Sequence, residues 1–256
     1  MTFNTLFWSG IVLDNVEEQD ALKVLINNDG EKQKVQNAFE ILLRSATTPA
    51  QCVAIDYYCL LQRDERWGRG NKFRELKEFV ENRIDYQLAQ DAYVRNDSEK
   101  KLAVGANHAS SFYAISLLSY KCDSILFTNA LIGNTDPYVI ELACMAADVI
   151  LLDEEKPYLP LVELLVNFAK RKDISEDVSM YAVKAISAVD TEEFDGFLID
   201  MTNDERIRVA STAARWLGEK NFTKHKDLLF SLSEKWPETD TYYEVYELRL
   251  LLNDHQ

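Results

Sequence analysis

Four short constellations in this chain have the residue types to do chemistry. Asn107-His108-Ala109-Ser110-Ser111 sets an imidazole beside two hydroxyls, the ingredients of a base-activated nucleophile. Asp153-Glu154-Glu155, and Glu192-Glu193 with Asp195, gather carboxylates that could exchange a proton or hold Ca²⁺. Trp67-Gly68-Arg69-Gly70, in a glycine-rich run from Arg63 to Lys72, offers a GxG turn with two side chains of the anchor type.

Spacing turns each of these away from catalysis. Neighbouring positions on a helix do not face one another, and no acid near His108 is placed to orient its ring, so Asn107 or Ser110 is expected as a helix cap. Asp153-Glu154-Glu155 lacks the spaced oxygen ligands and the glycine of a calcium loop, and it runs straight into Lys156-Pro157. The GxG run has no strand before it, as a phosphate-cradling turn requires. A plain connection between helices for the Trp67 loop, and a solvated linker or helix start for the carboxylates, are the ordinary roles; the functional role expected of them is contact with another macromolecule. Glu154, Glu155, Glu192, Glu193, Asp195 and Asp200 supply an acidic face, and Trp67 and Arg69 supply anchors on a loop. No catalytic residue, metal ligand or cofactor is expected.

The cysteines agree with this. Cys52, Cys59, Cys122 and Cys144 sit in apolar helical stretches, no two are spaced as CxxC, and the three histidines are far apart. Reduced, buried thiols are expected, as in a cytoplasmic protein. Residues 1–12 are apolar but carry no basic start and soon reach Asp14, so neither a signal peptide nor a membrane span is expected.

Charge narrows the partner. The chain of 256 residues carries a net charge of −15, and residues 136–205 hold 17 acids against 5 bases, or −12 of it. Phosphate binding needs the opposite sign, which argues against direct contact with nucleic acid.

The elements that must position these residues are helices. Hydrophobic residues make up 47% of the chain, while 8 Gly and 5 Pro are too few for a many-stranded β-fold. At Asp136, Ser175 and Asp204 a capping residue precedes a β-branched apolar residue by three positions (Val139, Val178, Ile207). Seven positions on stand Ala143, Ala182 and Ser211, and ten on stand Ala146, Ala185 and Ala214. Asn107, with Ser110, Ala114 and Leu117, starts a weaker copy, so the starts lie 29, 39 and 29 residues apart. Each start is followed by a partner stripe: 136–150 pairs with 160–172, 175–188 with 192–201, and 204–218 with 223–234. Small residues at fixed offsets let helix backbones approach closely. Further helices are expected at 31–45, after Thr48-Pro49, over 73–88, and from Asp240. The tyrosine clusters Tyr57-Tyr58 and Tyr242-Tyr243-Tyr246 are expected to pack in the core or cap an end.

Period, cap, Val or Ile, and inner-face Ala together resemble the HEAT and armadillo-like repeats, and Asp204-Glu205-Arg206-Ile207-Arg208 comes nearest with its Ile-Arg pair. The resemblance covers residues 107–218. It implies an all-α fold, a right-handed α–α superhelix of stacked hairpins forming one domain over 1–256, with a longer loop near 63–72. It also implies a presented surface. With the charge, the expected function is non-catalytic capture of a basic protein, in its most concrete form the neutralisation of a cationic nuclease toxin by an acidic immunity protein. A general adaptor is the alternative. HEAT-like enzymes such as DNA-repair glycosylases and chromophore lyases come last, the former because a basic channel is missing.

Overall fold

Local capping chemistry sets several of the helix starts. The computed structural model describes residues 12–27, 31–45, 48–60, 108–109, 111–116, 119, 121–152, 154, 156–189, 194–236 and 242–255. Among these the only regular structure is helical, with no strand. The helices are α1 (Val16–Asn27), α2 (Lys32–Leu43), α3 (Thr48–Leu60), α4 (Ser124–Ile132), α5 (Pro137–Leu151), α6 (Leu159–Lys170), α7 (Glu176–Ser187), α8 (Asp195–Met201), α9 (Ile207–Lys235) and α10 (Tyr243–Asp254). Among the described residues, no helix is long and apolar enough to cross a membrane. The expected helix at 73–88 and the loop bearing Trp67 and Arg69 lie outside the described residues.

Asp136 and Ser175 cap as their types dictate. Asp136 Oδ1 accepts the Tyr138 N–H at 2.8 Å and Ser175 Oγ accepts that of Val178 at 3.2 Å, each satisfying a donor that the first turn leaves open. Asp204 differs. Its helix starts three residues later, at Ile207, and the carboxylate accepts the Arg206 N–H at 2.9 Å instead. The helices expected at 204–218 and 223–234 run together as α9, broken at Asn221 (φ −156°, ψ 80°). Asn221 Oδ1 accepts the Lys224 N–H at 3.1 Å and so caps the second half without an intervening loop.

The chain falls into two compact units, Met1–Ala143 and Cys144–Gln256. In the first, α1 packs on α2, α2 on α3 and α1 on α3. Leu22, Leu25, Phe39, Leu42 and Ile55 are fully buried there, and the Phe39 ring stacks on Tyr58 at 5.5 Å. Burying such side chains contributes roughly 1.5–3 kcal/mol each. Further along this unit, Phe112 meets Phe127 edge-on at 5.1 Å.

In the second unit α6 pairs with α7, α7 and α8 pack on α9, and α9 packs on α10. The positions that recur in the sequence face inward: Ala146, Ala182, Ala185, Ser211 and Ala214 are all inaccessible to solvent. Cys144 is buried, and burial, with the Asp123 charge adding to it, pushes the Cys122 thiol up to about 12. At neutral pH that thiol is protonated and a poor nucleophile.

Candidate functional site

Of the constellation around His108, the structure describes His108, Ala109 and Ser111. His108 and Ser111 are fully buried, and Asn134 donates its side-chain amide to His108 Nδ1 at 2.8 Å and to the Ala130 carbonyl at 2.6 Å. That amide ties the imidazole into the first unit's core. Ser110 lies outside the described residues, as do Asp153, Glu155, Glu192 and Glu193.

The acidic segment of the second unit shows what its charges do. Asp195, one of the acids expected on a partner-binding face, has a countercharge within the fold. It opens α8, is 8% exposed, and takes Lys224 Nζ at 2.8 Å, with His225 Nε2 at 3.6 Å. Burial works to raise its carboxyl, but the Lys224 hydrogen bond and charge prevail and hold it below the usual carboxylate range. A desolvated carboxylate needs its countercharge, so Asp195 is engaged within the fold. Glu154 is half-buried, its N–H donating to the Leu151 carbonyl at 3.2 Å, and Asp200 is exposed on the last turn of α8.

The densest cluster centres on Arg206, which the sequence shows only as part of a repeat signature. Its Nε and Nη2 take the two Asp204 carboxylate oxygens at 2.9 Å each. Nη2 also reaches the Ala169 carbonyl at 2.9 Å, while Nη1 donates to the Arg171 carbonyl at 3.0 Å and to Ser179 Oγ at 2.8 Å. All five guanidinium donors are thereby used. Ser179 Oγ in turn donates to the Phe168 carbonyl at 3.2 Å, so the open carbonyls at the end of α6 are closed by α7 and by the residue before α9. Lys172 Nζ adds a 2.7 Å bond to Asp204. Burial would raise the Asp204 carboxyl, yet the hydrogen bonds from Arg206 and Lys172 outweigh it and hold the group far below its ordinary range.

That depression has a consequence for acid stability. A carboxyl whose folded value lies below its unfolded value of about 4 stabilises the fold above that pH and loses the contribution as pH falls toward the folded value. Midpoints of urea unfolding measured from neutral pH down to about pH 3 are expected to fall. In Asp204→Asn the neutral-pH midpoint should already be low, with a flatter slope. A wild-type slope in the variant would contradict the assignment.

Other pairs run between helices. Arg208 bridges Asp177 (2.7 Å) on α7 and Glu244 (3.0 Å) on α10, and Arg215 pairs with Glu247. Lys184 pairs with Asp148 at 2.7 Å. Arg171 holds Asp173 through two bonds of 2.8 and 2.9 Å; the hydrogen bond from Arg171 lowers that exposed carboxyl to about 2. So Arg171, Lys172 and Lys184, three of the five bases in residues 136–205, are already matched to acids within the fold.

The acids left facing water include Glu163 on α6, Asp200 on α8, and Glu205, whose side chain is 81% exposed and only 3.8 Å from Lys172 at best. Chemically this is a field for cations, with low selectivity for any small one because the carboxylates stand on separate turns. Among the described residues no group of His, Cys, Asp and Glu is arranged to hold a metal. The tyrosines divide: Tyr57 and Tyr58 are buried as expected, whereas Tyr243 and Tyr246 are 66% and 56% exposed. No family model, curated protein or solved structure matches the chain.

Proposed function

We propose that this chain is a non-catalytic binding module that uses an acidic face to capture a basic protein, most concretely as an immunity protein neutralising a nuclease toxin. The observation that carries it is the −12 concentrated in residues 136–205, most of whose bases are consumed in internal pairs. A nuclease must hold phosphates in a cationic cleft, and an acidic surface can occupy that cleft as a polyanion mimic. We read the helical pairs as a HEAT-like solenoid, a right-handed α–α superhelix that presents acids from successive hairpins. Its buried small residues at repeated offsets support that reading. The setting that fits is cytoplasmic, with no cofactor. A general adaptor role would use the same surface and differ only in the partner.

Charge reversal tests the face. The triple variant Glu192→Lys/Glu193→Lys/Asp200→Lys leaves the internal Asp195–Lys224 pair intact. Inhibition of a panel of basic ribonucleases is expected to weaken by about tenfold or more, with helicity unchanged. Undiminished inhibition would place the contact elsewhere on the molecule.

A further inference from the structure

We draw no further inference here: the strongest candidate, the exposed stripe of Tyr243, Tyr246 and Leu250 on the outer face of α10, is an apolar surface whose neighbouring carboxylates are already paired with Arg208 and Arg215, and nothing in the structure shows what covers it.

Discussion

Replacing Arg206 with methionine is expected to destabilise residues 144–256 by about 3 kcal/mol, more than any other single charged-to-apolar change in the second unit. The side chain is only 16% exposed and its partner Asp204 only 5%, so the loss is that of a desolvated pair and not of a surface one. Methionine keeps much of the volume but strands Asp204 with Lys172 alone and removes a donor from the Ala169 and Arg171 carbonyls and from Ser179. The thermal midpoint should drop by about 10–15 °C for a unit of this size. Arg206→Lys should recover little, because an ammonium has three donors and no planar fork to match both Asp204 oxygens. Combining Arg206→Met with Asp204→Asn should cost less than the sum of the single changes, since the second removes the charge that the first strands. Strict additivity would show that the two groups do not act together.

Gly218→Val is expected to destabilise the α9–α10 contact by about 1–3 kcal/mol. Gly218 is buried in α9, where a Cβ would come within 2.5 Å of Leu251 Cδ2 and 3.0 Å of Leu229 Cδ1. Leu251 is half-buried and can turn aside, but Leu229 is fully enclosed. A second γ-methyl therefore has nowhere to go without shifting the helices apart. Adding Leu251→Ala to Gly218→Val should return part of the midpoint by opening the side on which the clash is closest. If the paired change is as unstable as the sum of both, the close approach of the two helices is not what requires glycine.

The two predictions mark where the sequence speaks and where it is silent. Asp136, Ser175 and the small residues at 146, 182, 185, 211 and 214 act through contacts that any helix of this pattern makes, so their roles were legible from spacing. Joining of two expected helices at Asn221 was not legible, because a capping asparagine reads the same with or without a loop before it. Ion pairing was hidden for a different reason. Lys172 meets Asp204 across 32 positions, Lys224 meets Asp195 across 29, and Arg208 meets Glu244 across 36, distances over which periodicity carries no information. Hence the sequence alone does not show the countercharge of Asp195. The exposure of Tyr243 and Tyr246 was hidden as well, since an aromatic stripe at helical spacing looks the same whether or not another helix covers it.

The most direct test of basic-partner capture is the affinity of the intact chain for an inhibited cationic nuclease as a function of salt. The account predicts that affinity falls steeply between low and physiological ionic strength, with most of the change in association rate, because complementary charges steer the encounter and are screened beyond about 8–10 Å. A tight complex whose affinity is indifferent to salt would contradict it.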